Sequence, residues 1–315
     1  MSLREPSLAA LPNPVTRYFL ATRPGFLTIT VVGCLIGLAS SLHTGLRLEA
    51  TRALLTLLGA LVAHAAVNVL NDYYDARNGT DARNEDRLYP YTGGSRFIQN
   101  GVLTLHATGV FGLSLLLCVI LLGSVLAAEV GPGLVVIGAA GLFIGWAYSG
   151  EPLRLNSRGL GELAVAVGFL LVVVGTDFVQ RGTFAPLPWL AGLPYALWVT
   201  AILYVNQFPD RRADAESGKR HWVVRLAPRQ AAWGYGLILI VAYGVLLLGV
   251  ALRYLPMAAA AAFAALPMSL AAFRHLLRHS DTPQALLPAI RMTLGAAHLG
   301  GLFIAAALGL TKGTP

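Results

Sequence analysis

Nine apolar runs, each separated from the next by a polar stretch, set the rhythm of this 315-residue chain. They lie near 25–42, 53–71, 104–123, 133–149, 163–180, 188–207, 232–251, 255–273 and 287–310. Each is long enough to cross a hydrocarbon layer of roughly 30 Å. The runs are continuous, without the period-two alternation of a membrane barrel. A lipid-facing backbone must satisfy its own hydrogen bonds, so helices are predicted. The expected fold class is all-α, a polytopic bundle of about nine transmembrane helices forming one integral-membrane domain over 1–315. Ala-rich runs such as "PMAAAAAFAALPMSLAAF" (256–273) suit close helix contact.

The polar stretches are unequal. Two of them, 72–103 and 208–231, are long and carry both charge signs. Both begin with acids directly behind an apolar run: "NDYYDARNGTD" after the second and "NQFPDRRADAESGKR" after the sixth. These two runs are four helices apart and point the same way. The pattern is that of a four-helix unit used twice with a ninth helix added, although only the Asn-then-Asp arrangement repeats.

Charge then orients the bundle. With nine spans the connections fall into two alternating sets. The set holding the N-terminus, 72–103, 150–162, 208–231 and 274–291 carries 18 of the 23 Lys and Arg residues. The positive-inside rule makes that set cytoplasmic and puts the C-terminus outside, as in a bacterial inner (plasma) membrane protein. The net charge of +8 therefore reflects topology and a basic cytoplasmic face, and nucleic acid is not an expected partner. The opening "MSLREPSLAALPNPVTRYFLATRP" has no apolar core of the kind a cleavable signal needs. Cys34 and Cys118 both sit within apolar runs and read as small packing residues.

Eight of the fifteen acids lie in the two long stretches: Asp72, Asp75, Asp81, Glu85, Asp86, Asp210, Asp214 and Glu216. Asn68, Asn71/Asp72 and Asp75 recur at helical spacing and share a face, as do Asp210 and Asp214. Pro209 interrupts a continuous helix from Asn206, or else opens a new helical turn. Gathered carboxylates repel unless neutralised. Hard divalent cations do this, and Mg²⁺ favours a few carboxylates plus substrate phosphates. Two facing acidic clusters could hold Mg²⁺ and a diphosphate between them. Lys219, Arg220, Arg96 and Arg23 are candidate cations for the phosphate oxygens. Glu85, Asp86 and Glu216 read as solvated loop acids. The Asn68–Asp75 face does not, because polar groups at a membrane helix end are costly unless used.

These motifs, with "YTGGSRFIQNG" (91–101), "YSGEPLRLNSRGLGEL" (148–163) and "ATRPGFL" (21–27), resemble the UbiA superfamily of intramembrane prenyltransferases. Within it they are most similar to the 1,4-dihydroxy-2-naphthoate polyprenyltransferase branch, which serves menaquinone synthesis. The resemblance covers nearly the whole chain. It implies a polyprenyl diphosphate donor, an aromatic acceptor and Mg²⁺ held by Asp72, Asp75, Asp81, Asp210 and Asp214. It also implies that Asn68, Asn71 and Asn206 orient metal or phosphate, and that Lys219, Arg96, Arg23 and Arg154 neutralise the diphosphate. Tyr148 would face the allylic cation with its ring, or else serve as an interfacial tyrosine. His64, one turn before Asn68, is a packing residue or an acceptor contact.

Two departures stand out. Asp177 occupies a position that is usually aromatic in the naphthoate branch, and "NQFPD" replaces a more usual Asn-Asn-x-x-Asp. Another aromatic acceptor, such as 4-hydroxybenzoate or homogentisate, stays open on residues alone, as does the first of three rival activities; the other two fit the residues poorly. A terpene cyclase could use the same fold. An ion-coupled transporter would keep its acids near the midplane, not at one face. A nucleotide-dependent phosphotransferase would need an Asp-Gly start that "DARNGTD" lacks.

Overall fold

The computed structural model describes residues 4–312 and is all-helical across its spans. Eight helices are long and apolar enough to cross a membrane: Pro24–His43, Ala50–Asn78, Leu105–Val130, Gly161–Arg181, Pro186–Glu216, Pro228–Ala251, Met257–His279 and Leu287–Leu310. A shorter apolar helix, Gly133–Ser149, makes the fourth of nine spans in chain order. The protein is an integral membrane protein. Nine crossings leave the ends of the first and ninth spans on one face, where His43 Nδ1 meets the Thr311 carbonyl at 2.7 Å.

Local chemistry sets the helix ends. Glu49 caps the second span by accepting from the Arg52 N–H at 2.8 Å, and Thr104 caps the third through the Ala107 N–H at 3.1 Å. Proline opens the first, sixth, seventh and ninth spans, where its missing donor costs nothing. The eighth span starts as a tight three-residue-per-turn helix over Met257–Ala265 and relaxes to α-helix at Leu266. Ala259, Ala262 and Ala265 then line up on one fully buried edge, as that pitch requires.

The nine helices divide the labour. The first, sixth, seventh, eighth and ninth spans, with part of the fifth, share the main buried core around Tyr195, Trp198, Tyr235 and Ile290. Close approach is built in: a side chain at Gly300 would overlap the Trp198 ring. The second, third and fourth spans bury little of their surface and instead wall a cavity against the fifth.

Two helices overrun their expected ends. The second continues through Asp72 and Asp75 to Asn78, and the sixth continues through Asp210 and Asp214 to Glu216. The polar connections therefore begin near 79 and 217, later than the 72 and 208 read from hydropathy. Pro209 sits inside an unbroken helix, as does Pro194. It neither stops the helix nor starts another.

Candidate active site

The second and sixth spans bring their acidic ends together at one end of the bundle. Lys219 joins them. Its ammonium lies 3.1 Å from Asp75 and 3.0 Å from Asp214, and it is 6 % exposed. Burial disfavours that charge, but Asp214 and Asp75 outweigh the effect and hold the amine above its usual range. Asn71 and Asn78 add donors to Asp75 at 3.2 and 3.3 Å. His221 Nε2 meets Asp214 Oδ2 at 2.9 Å.

The connection after the second span folds over this pair. Asn84 donates to Asp210 at 2.6 Å, and the Gly93 N–H approaches the same carboxylate at 3.4 Å. The Ser95 N–H lies 3.3 and 3.2 Å from the two oxygens of Asp72. Gly94, at φ +74°, passes so close to Asp81 and Asp72 that a side chain there would collide with both carboxylates. Asp81 is 3 % exposed. Burial, then Asp75 and Asp72, push its carboxyl well above the usual carboxylate range.

A cavity of about 620 Å³ opens from this cluster and runs along the bundle. At the polar end its wall includes Asp75, Asp81, Asp210, Asp214 and Lys219. At the other end it includes Thr56, Ala127, Leu134 and Val179. From Asp75 to Thr56 the second span rises about 28 Å along its axis. The apolar walls are unusually bare. Gly59, Gly138, Gly141 and Gly168 all line the lumen, and a Cβ at any of them would meet nothing within 4 Å. Packing does not require glycine there, and its effect is to keep the lumen wide.

The remaining expected site residues fall into two groups. Arg23, His64, Asn68, Asn71, Tyr148 and Asn206 line the cavity. Arg23 donates to the Tyr91 carbonyl at 3.0 Å and keeps a buried, unpartnered Nε. Asn68 holds the Thr22 carbonyl at 3.0 Å, and His64 Nδ1 meets Thr30 Oγ1 at 2.7 Å. Asp72, Arg96 and Arg154 stand behind the wall. Arg96 donates to the Asp81 backbone carbonyl and lies 3.8 Å from Glu5. Arg154 borders a separate small pocket with Tyr74, Arg77 and Glu151. Sequence reading missed Asn84, Ser95, Gln207 and His221, which touch the acids or line the lumen.

The donor set suits a hard cation, being five carboxylates with amide oxygens nearby. Among the described residues, no three acidic, His or Cys side chains converge closely enough to enclose a metal by themselves. That fits Mg²⁺, which keeps several non-protein oxygens and takes one or two carboxylates per ion.

The profile of the UbiA prenyltransferase family matches residues 27–307. The chain belongs to that family. Among curated relatives of this UbiA prenyltransferase, the 2-carboxy-1,4-naphthoquinone phytyltransferase of Synechocystis is 25 % identical over 308 residues, spanning 96 % of each chain. The 1,4-dihydroxy-2-naphthoate octaprenyltransferase of Mycobacterium leprae is 30 % identical over 92 % of this chain and 93 % of its own. Its Mycobacterium tuberculosis counterpart is 32 % identical over 71 % of this chain and 73 % of its own. Among solved structures, a UbiA homolog from Archaeoglobus fulgidus bound to GPP and Mg²⁺ superposes with a TM-score of 0.60. It is 12 % identical and covers 94 % of this chain and all of its own, which shows the shared fold. The chain is thus a membrane prenyltransferase with the UbiA fold.

Proposed function

We propose that this UbiA prenyltransferase transfers a polyprenyl group from its diphosphate to 1,4-dihydroxy-2-naphthoate, a step of menaquinone synthesis, with Mg²⁺ as cofactor. One observation carries the reading: two acidic helix ends, tied by a buried lysine, sit at the head of a long apolar lumen. A prenyl diphosphate has the same split character, a charged head and a greasy tail. The naphthoquinone-branch relatives support the acceptor, because they match over most of the chain. The basic connections around the acids support a cytoplasmic site, with the N-terminus inside and the C-terminus outside.

The residues take the following roles. Asp75, Asp81, Asp210 and Asp214 would hold Mg²⁺, one or two carboxylates to each ion, with Asp72 steadying the Gly93–Ser95 turn beside them. Magnesium, when bound, would offset the charge of the departing diphosphate. Lys219 and Arg23 line the same space and neutralise phosphate oxygens. Asn68, Asn71 and Asn206 orient the head group. Arg96 positions Asp81 through its backbone carbonyl, and Arg154 buttresses the adjoining surface. As the carbon–oxygen bond breaks, the allylic cation lies under the Tyr148 ring, whose face favours positive charge. The acceptor ring then attacks the allylic carbon, the prenyl group replaces the ring carboxylate, which leaves as CO₂, and the apolar lumen beyond the acidic cluster keeps water from competing.

Purified protein incubated with Mg²⁺, geranylgeranyl diphosphate and 1,4-dihydroxy-2-naphthoate should release diphosphate and form a prenylated naphthoquinol. Chelation should stop both. A cyclised hydrocarbon formed without acceptor would replace this reading with that of a terpene cyclase.

A further inference from the structure

One polar contact in the lumen remains unused. Gln207 is three residues before Asp210, one helical turn further into the bundle, and lines the cavity while only 7 % exposed. Its Nε2 donates to Glu162 Oε1 of the fifth span at 3.0 Å. That bond fixes the amide, since only the nitrogen can donate to a carboxylate. The atom left over is therefore the carbonyl oxygen. Gln207 Oε1 is buried without a partner, as are Glu162 Oε2 and Asn206 Oδ1. Next to Glu162, a Cβ at Gly161 would sit in ordinary contact with the Tyr148 ring, at 3.5 Å, and Tyr148 lines the same cavity. So a ring and a group of unsatisfied acceptors meet just inside the acidic cluster.

Buried acceptors of this kind cost about 1–3 kcal/mol each if nothing donates to them. Of the substrates the cavity must hold, diphosphate oxygens accept hydrogen bonds and a prenyl tail offers none. Only the aromatic acceptor carries an O–H. We propose that Gln207, braced by Glu162, recognises a free hydroxyl on the acceptor ring, so that the enzyme selects phenolic rings over their ethers. This rests on the aromatic-acceptor reading above, and it names a specificity residue within the second motif that is distinct from its carboxylates.

The test measures equilibrium binding of 1,4-dihydroxy-2-naphthoate and of its dimethyl ether to the full-length protein in detergent, with no prenyl donor present. Mg²⁺-dependent binding of geranyl diphosphate is measured in parallel. Wild type should prefer the diol at least about tenfold, a difference of about 1.4 kcal/mol. Gln207→Leu should bring that ratio close to one and leave diphosphate binding unchanged. Because Gln207→Leu strands a buried carboxylate, the double variant Glu162→Leu/Gln207→Leu removes both partners together, a change that can be nearly neutral for folding. It should also erase the preference. An unchanged ratio in either folded variant overturns the proposal, as does a wild type that binds both compounds equally. Loss of Mg²⁺-dependent diphosphate binding in the variants would overturn it too, by assigning Gln207 to the metal. A wild type that discriminates between the two compounds but prenylates no aromatic would instead overturn the acceptor reading.

Discussion

The bundle buries an acid–base cluster at each end, and the two are built to opposite plans. At the end away from the motifs, Asp177 is 1 % exposed and completely satisfied. Arg181, one turn on, reaches it at 2.7 and 2.8 Å, and Ser41 of the first span donates at 2.8 Å. Arg181 also donates to Thr44 at 3.0 Å, so the pair pins the first span to the fifth. At the motif end, a buried lysine bridges Asp75 and Asp214, the lumen opens onto these acids and onto Asp81 and Asp210, and several polar atoms lack partners. A closed, charge-balanced pair is a clasp. An open cluster with excess charge and a cavity is a site. The unusual Asp177 is thus held by Ser41 and Arg181 and does not line the lumen.

The largest effect should come from the open cluster. Asp75→Asn or Asp210→Asn should lower diphosphate release by about 10³-fold or more, as expected when charge stabilisation is removed, with thermal unfolding shifted only slightly. Near-normal turnover in either variant would erase the contrast between the two ends. The clasp should respond the other way. Arg181→Ala strands a buried carboxylate and should cost roughly 3 kcal/mol of stability. Asp177→Asn, which leaves an arginine able to reach water, should cost less. Turnover per folded molecule should stay within about threefold in both; denaturation in detergent and active-fraction titration would measure this.

Between the two ends, the lumen itself can be narrowed. Gly141→Phe should cut use of geranylgeranyl diphosphate about tenfold relative to geranyl diphosphate. Its fold should survive, because a Cβ at Gly141 meets nothing within 4 Å. Equal loss for both donors would mean that the tail runs elsewhere. A smaller, several-fold effect is expected from pH. The Asp81 carboxyl is held well above its ordinary range by burial and by Asp75 and Asp72, so protons compete with metal there. As the pH falls, protonation competes increasingly with the metal and half-saturating Mg²⁺ should rise; a flat profile would remove Asp81 from the ligand set. The smallest effect belongs to the exposed Arg52–Glu129 pair at 3.2 Å, where Glu129→Gln should change stability by about 0–1 kcal/mol.

Much of this was legible in the residues. Span number, the two acidic clusters and their convergence follow from hydropathy, charge asymmetry and spacing. Helix ends did not, because Asn71–Asn78 is polar by composition yet helical by context: its inward face is buried against the Gly93–Ser95 turn. Pro209 misled for a related reason. Burial on both sides of the sixth span holds the helix together across a missing hydrogen bond. The partners contributed by Asn84, Ser95 and His221 could not be read at all. Asn84 meets Asp210 across the bundle, while Ser95 and His221 fold back on Asp72 and Asp214 through irregular connections, and no local periodicity encodes either.

Lys219 has a final consequence. By standing between Asp75 and Asp214, it supplies an internal counter-ion that ties the ends of the second and sixth spans together. A bound diphosphate would offer that ammonium phosphate oxygens, and Asp75 and Asp214 would then be available to cations.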